Sequence, residues 1–170
     1  MIRSPAILHT ARLTTPLGDF SAHFSEAGLV RLEFPSTGKH PFVSPGIELP
    51  VPYRDWAKQT SAALCAALAG KRFTQSLPPL NLAGETPFRR RVWNELQRIP
   101  RSETRSYGEI AENLGKRRAA RAVGGACGAN PVPILIPCHR VLAARGGLGG
   151  FSGGLAWKQR LLSLEGVLLT

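Results

Sequence analysis

Acidic side chains are scarce in this 170-residue chain: 11 Asp and Glu stand against 22 Lys and Arg, a formal net charge of +11. Cysteine is scarcer, with three residues (Cys65, Cys127, Cys138) and no CxxC pair. An odd, widely spaced set argues against a disulfide scaffold and a Cys-rich structural zinc site, and fits a reducing cytoplasm. No uninterrupted apolar stretch approaches the roughly 20 residues that a membrane helix needs. The apolar patch at Ala6–Leu8 is too short for a secretory h-region, so no signal peptide is expected. There is no internal repeat and no low-complexity tail. What is present reads as a globule, 43% hydrophobic and 19% charged, of a length that makes one domain or two small ones.

The positive charge is unevenly placed. Residues 1–83 carry 8 basic and 5 acidic side chains, whereas residues 84–170 carry 14 and 6. Such an excess points to a polyanion, nucleic acid before an anionic membrane surface, engaged by the second half.

Local patterning divides the chain at the same place. Ile7–Leu13, Phe20–Phe24 and Leu29–Phe34 alternate like strands and are separated by turn signals at Thr14–Gly18 and Ala27-Gly28, which predicts a three-stranded meander. Pro35–Pro52, with five prolines and two glycines, reads as an irregular loop. Tyr53–Ala69 reads as a helix closed by Gly70. The expectation is an N-terminal α/β domain, 1–83, ending in a linker near Phe73–Gly84. A mostly helical C-terminal domain, 84–170, follows. There Thr86-Pro87 starts a helix carrying Phe88, Val92 and Leu96 on one face. Ser106–Leu114 and Lys116–Cys127 read as two short helices about Gly115, a helix-turn-helix pattern. Ile134–Ile136 is a short apolar run expected to be buried, Gly146–Gly154 a loop with six glycines, and Ala156–Leu164 a closing helix.

Chemistry concentrates at Pro137-Cys138-His139-Arg140. A free thiol with a pKa near ~8.5 is only a few per cent thiolate at neutral pH. His139 and Arg140 are expected to raise that fraction, His139 through a bridging water because adjacent side chains rarely meet directly. By type alone, Cys138 is as readily a small buried hydrophobe, as Cys65 and Cys127 are taken to be. Lys116, Arg117, Arg118 and Arg121 place four cations on about one and a half helical turns, which suits a phosphate backbone. A solvated basic face is the plainer alternative. The glycine loop lacks the GxxxxGK[ST] phosphate-binding pattern and is read as backbone brought close to a ligand.

The run Asn130-Pro131-Val132-Pro133-Ile134-Leu135-Ile136-Pro137-Cys138-His139-Arg140-Val141 resembles the active-site signature of the O6-alkylguanine-DNA alkyltransferases, also called methylated-DNA–protein-cysteine methyltransferases. Ser106-Tyr107, Ala119–Gly124, Ser152-Gly153-Gly154 and Leu161–Gly166 match at family-like spacing. The likeness is strong over 84–170 and weaker in the meander. It implies single-turnover repair: O6-alkylguanine, and O4-alkylthymine with it, is flipped from double-stranded DNA and its alkyl group passes irreversibly to Cys138. By the same resemblance His139 acts through water as the base and Glu165 orients it. Asn130 braces the turn, and Tyr107 helps rotate the nucleotide and donates a proton near O6. Arg121 fills the vacated stack, while Lys116, Arg117 and Arg118 meet phosphates. Val141 and Cys138 offer carbonyls to the guanine amino group, and Ser152 and Gly153 contact the O6 side. Lys158 is a supporting polar residue.

No metal and no organic cofactor is implied, and His9, His23, His40 and Cys65 are too sparse a set for zinc. A cytoplasmic, nucleoid-associated monomer with no membrane partner is expected, with cooperative assembly on DNA left open. Two positions depart from the family pattern. Phe151 stands where many relatives carry Tyr, which keeps an aromatic wall and loses a phenol, and Cys127 stands where a larger apolar side chain is common. Three alternatives are weaker. A non-catalytic base-binding relative lacks the cysteine that Cys138 supplies. A helix-turn-helix regulator would read bases poorly with Ala119, Ala120, Ala122, Gly124 and Gly125. A cysteine hydrolase would need an oxyanion-hole motif that does not accompany Cys138.

Overall fold

The computed structural model describes residues 5–35, 49–74 and 76–168, with Arg145 described by its backbone alone. Most of the expected proline-rich loop, and His40 with it, lies outside the described residues. The chain separates into two compact units, 1–84 and 85–170.

In the first unit alternation builds the predicted meander. Strands β1 (His9–Thr15), β2 (Gly18–Ser25) and β3 (Gly28–Glu33) pair antiparallel in that order. Ala11, Leu13, Phe20, Ala22, Phe24, Leu29 and Leu32 are buried. Each large member of that set contributes on the order of 1.5–3 kcal/mol through burial. The first strand starts two residues later than its apolar run suggested, because Ile7 and Leu8 are about half exposed at 47% each. Helix α1 (Tyr53–Leu68) packs on the sheet and buries Thr60, Ala63, Leu64 and Leu68. It ends at Gly70, whose φ of +66° allows the paired closing bonds Gly70 N to Ala67 O (3.1 Å) and Lys71 N to Ala66 O (2.8 Å). Part of the expected linker is pinned to the sheet. Leu29 N donates to Pro79 O (2.8 Å) and Asn81 N donates to Leu29 O (2.9 Å).

The second unit is helical, with one small sheet. Helix α2 (Pro87–Gln97) starts as expected, with Thr86 Oγ1 accepting from Arg89 N at 3.3 Å. It buries Val92, Trp93 and Leu96. Trp93 Nε1 donates to Ala126 O (2.9 Å) and so fixes α4 (Ala120–Gly128) against it. Helix α3 (Tyr107–Asn113) opens with a capping box: Ser106 Oγ accepts from Glu109 N, and Glu109 Oε2 accepts from Ser106 N. The closing helix α5 spans Leu155–Leu164. The helix-turn-helix is therefore α3 and α4, and its first half ends at Gly115 as predicted.

One expectation fails here. Lys116, Arg117 and Arg118 are not helical. They form a turn, closed by Ala119 N to Lys116 O at 2.7 Å, and α4 begins only at Ala120. The α3 terminus explains this, because Lys116 N is spent on Ala111 O (2.8 Å) in the closing motif around Gly115. Arg121 alone of the four cations sits on the helix.

Candidate active site

Two two-residue strands, β4 (Arg105–Ser106) and β5 (Val141–Leu142), pair in parallel with Arg105 opposite Val141. The residue after β4 is Tyr107, the first of α3. The residues before β5 form a 3-10 turn, Cys138–Arg140. This ladder therefore sets the start of α3 beside the turn that carries the thiol.

The approach to that turn is tight. Ile134 is buried with a φ of +74°, a conformation costing a β-branched residue about 1–3 kcal/mol. Asn130 holds it. Val132 N donates to Asn130 Oδ1 (3.0 Å), and Asn130 Nδ2 donates to Ile136 O (2.8 Å) and lies 3.0 Å from Cys138 Sγ. Pinning and thiol contact thus come from one buried amide.

Cys138 is 3% exposed. Burial pushes its thiol up to about 11, against the smaller opposing effects of the Asn130 hydrogen bond and the Lys158 charge. Burial also pushes Cys127 up to about 12, with Cys138 adding to the rise. At rest the pair is protonated, so the expectation that His139 and Arg140 raise the thiolate fraction is not met. Arg140 faces elsewhere: its guanidinium takes both oxygens of Glu165, Nε to Oε2 at 2.9 Å and Nη2 to Oε1 at 2.7 Å.

His139 is 1% exposed, and its Nε2 lies 3.0 Å from Glu165 Oε1. Burial would raise the Glu165 carboxyl, but hydrogen bonds and charge from His139 and Arg140 prevail and hold it at about 2. The ionised carboxylate accepts, so neutral His139 carries its proton on Nε2 and keeps the lone pair on Nδ1. Nδ1 is buried and has no protein hydrogen-bond partner. Burial holds the imidazole pKa below its usual value, opposed by Glu165.

A cavity of about 720 Å³ opens between the start of α3, α4 and the glycine loop. Tyr107, Arg121, Gly124, Phe151 and Ser152 are among the residues that line it. Tyr107 fits closely between α4 and the glycine loop. A Cβ on Gly149, whose φ is +64°, would lie 2.8 Å from the Tyr107 hydroxyl. Burial raises the phenol pKa and Cys127 and Cys138 add to it, so it stays protonated. Cys138, Asn130, His139 and Glu165 lie buried behind the cavity and do not line it; nor do Cys127, Val141 and Gly153, or Lys116, Arg117 and Arg118, which are exposed on their turn.

Two residues emerge with larger parts than the sequence gave reason to assign. Lys158 is fully buried, and its ammonium donates to Val141 O (2.5 Å) and Leu148 O, with Gly150 O at 3.5 Å. It thus ties the middle of the loop that borders the cavity to β5, and it occupies one lone pair of the Val141 carbonyl. Its sequence signal was a cation on the same helical stripe as Leu161, Leu162 and Glu165. Arg140 had no such signal, because its partner lies 25 residues away.

Known proteins resemble this chain in sequence and in fold. Residues 87–167 match the family model described as 6-O-methylguanine DNA methyltransferase, DNA binding domain. The methylated-DNA–protein-cysteine methyltransferase of Methanosarcina acetivorans is 40% identical over 164 residues, 94% of this chain and 99% of that one. The protein of the same name from Mycolicibacterium paratuberculosis is 60% identical over 86 residues, 51% of this chain and 52% of that one. Among solved structures, Mycobacterium tuberculosis OGT in complex with DNA superposes with a TM-score of 0.74 at 38% identity, covering 94% of this chain and 93% of that one. The same two-part architecture, a small antiparallel sheet with a helix followed by a helical half, is thus shared with a solved relative. On sequence and fold together, the chain belongs to the methylated-DNA–protein-cysteine methyltransferase family.

Proposed function

We propose that this protein repairs alkylated DNA by moving the alkyl group of a flipped O6-alkylguanine onto Cys138, once per molecule. The observation that carries the reading is a buried thiol backed by Asn130 and an ordered His139–Glu165 pair, beside a cavity whose lining includes Tyr107 and Arg121. The alkyl carbon is out of reach inside a duplex, so the base must leave the stack, which costs a few kcal/mol. Arg121 is exposed at the start of α4 and takes the vacated place. Lys116, Arg117 and Arg118 meet phosphates from the preceding turn and give sequence-independent affinity.

The thiol proton leaves through water to Nδ1 of His139, and the Glu165 anion stabilises the imidazolium. A sulfur lone pair then forms the S–C bond as the C–O6 bond breaks, its electrons staying on guanine. Tyr107, kept protonated, supplies a proton to the departing base, and the imidazolium of His139 then returns its proton through water to the Tyr107 phenolate, so the net change moves the thiol proton to guanine. The thioether is inert, which ends the reaction after one event, and no step calls for a metal or organic cofactor. O4-alkylthymine presents the same alkyl–oxygen bond and is a second substrate. The cytoplasm is the fitting compartment for a free acceptor thiol.

The test is incubation with an O6-methylguanine duplex followed by peptide mass mapping. One methyl on the Cys138 peptide, one per protein and absent in Cys138→Ala, is the expected outcome. Repeated turnover by substoichiometric protein would overturn the single-use mechanism, and methyl on the Cys127 peptide would show that the acceptor is misassigned.

A further inference from the structure

Glu165 serves two residues of one turn. His139 uses Oε1 alone, whereas Arg140 grips both oxygens. The remaining arm of the Arg140 guanidinium, Nη1, donates to Ile99 O at 2.7 Å, just beyond α2. From the same stretch of chain, Ser102 Oγ donates to the Glu165 carbonyl at 2.5 Å and Arg101 Nη2 donates to Leu164 O at 2.5 Å. The carboxylate is therefore held through its side chain by the catalytic turn and through its backbone by the α2–α3 connection.

We propose that Arg140 is a positioning residue for alkyl transfer: its fork holds the Glu165 carboxylate rigid and aimed at His139 Nε2, so that the imidazole keeps Nδ1 free for the thiol proton. This rests on the function proposed above. A carboxylate held by a single imidazole is free to rotate and to take that imidazole's proton. A planar guanidinium bonded to both oxygens prevents both, and an ammonium, being a point charge, fixes neither orientation. Arg140 also has an electrostatic effect at His139. The charged groups facing the imidazole are Glu165, which favours its protonation, and Arg140 and Lys158, which oppose it. Arg140 therefore helps to keep the base unprotonated before the thiol gives up its proton.

The experiment is the single-turnover rate of methyl transfer to Cys138 from pH 5 to 9, with the full chain and an O6-methylguanine duplex. Wild type, Arg140→Lys, Arg140→Met, Glu165→Gln and the Arg140→Met/Glu165→Gln double variant are compared. Arg140→Met should slow transfer by about 10-fold or more, with DNA affinity within about 2-fold of wild type. Its acidic limb should move to higher pH, because His139 then holds a proton more readily. Arg140→Lys should keep the limb and lose part of the rate. The double variant should be no slower than Glu165→Gln, since both changes remove one function. A slowed Arg140→Met with an unmoved limb, additive with Glu165→Gln, would show a brace of the fold only and overturn the proposal. Should Arg140→Met fail to fold by circular dichroism, Arg140→Lys decides, and a wild-type rate in that variant overturns it. Absence of methyl on wild-type Cys138 would instead refute the underlying function.

Discussion

The two compact units bury different kinds of polar group. Among the described residues of the first, these are Thr15, Ser25 and Thr60, all neutral hydroxyls. Each donates to a carbonyl three or four residues away, at Gly18, Gly28 and Trp56. In the second unit they are Asn130, His139, Lys158 and Glu165, three of them ionisable. Their partners lie up to 26 residues away: Glu165 for His139, Val141 for Lys158. A local bond to a nearby carbonyl satisfies the buried hydroxyl itself. A buried ionisable group with a distant partner costs desolvation that apolar packing would avoid, and gains a fixed tertiary geometry in return. The first unit is packed for stability. The second gives up some of that stability to hold a thiol, a base and a loop in register.

Paired substitutions sharpen the contrast. The largest effect is expected from Asn130→Ala, which orphans the Val132 amide, leaves the Ile136 carbonyl with the Cys138 amide alone and frees the Cys138 thiol. Transfer should fall about 100-fold or more, and stability by about 2–3 kcal/mol in denaturant unfolding. Thr60→Ala, its counterpart in the first unit, should cost about 1 kcal/mol and leave the rate unchanged. Equal rate losses in the two would erase the distinction.

Next come two glycines. Gly149→Ala should slow transfer about 10-fold, because its Cβ would displace the Tyr107 ring that lines the cavity. Gly28→Ala, with φ +135° and a Cβ falling 2.1 Å from Pro79 O, should lower the melting temperature while the folded fraction reacts normally. Single-turnover kinetics and calorimetry on both variants provide the check.

The smallest effect is that of pH on stability. His139 and Glu165 have depressed folded-state values, so each contributes stability that is present above its unfolded value, near ~6.5 and ~4.5, and is lost as pH falls toward the folded one. Cys138 and Cys127 are raised, so theirs is lost as pH climbs past the unfolded thiol value near ~9. Hydrogen exchange resolved by peptide should show residues 85–170 most protected between about pH 6.5 and 9. Protection there that stays flat across that range and beyond it would contradict the assigned shifts.

Much of this was legible before any coordinates, wherever a signal is local. Thr86-Pro87, Gly70 and Gly115 each mark a helix end through bonds made within a few residues, and each stands where the sequence put it. The meander followed from simple alternation. Long-range pairings escaped. Strands β4 and β5 are two residues each and show no periodicity, yet they bring Tyr107 to the thiol. The basic run from Lys116 read as helix because Lys and Arg are good helix formers, but the closing motif at Gly115 consumed its first amide. The resemblance supplied Cys138, His139, Glu165 and Asn130. Arg140, read from its adjacency as raising the Cys138 thiolate fraction, instead holds Glu165, because adjacency in sequence says nothing about which way a 3-10 turn throws its third side chain.

The depth of Cys138 has a consequence for the lifetime of the protein. With the thiol held at about 11, its thiolate fraction at neutral pH is on the order of one in ten thousand. A reagent consumed by its first reaction must not be spent on whatever electrophile diffuses past. Burial gives this one a long shelf life, and in the proposed reaction the thiolate forms once a damaged base is bound and the proton has somewhere to go.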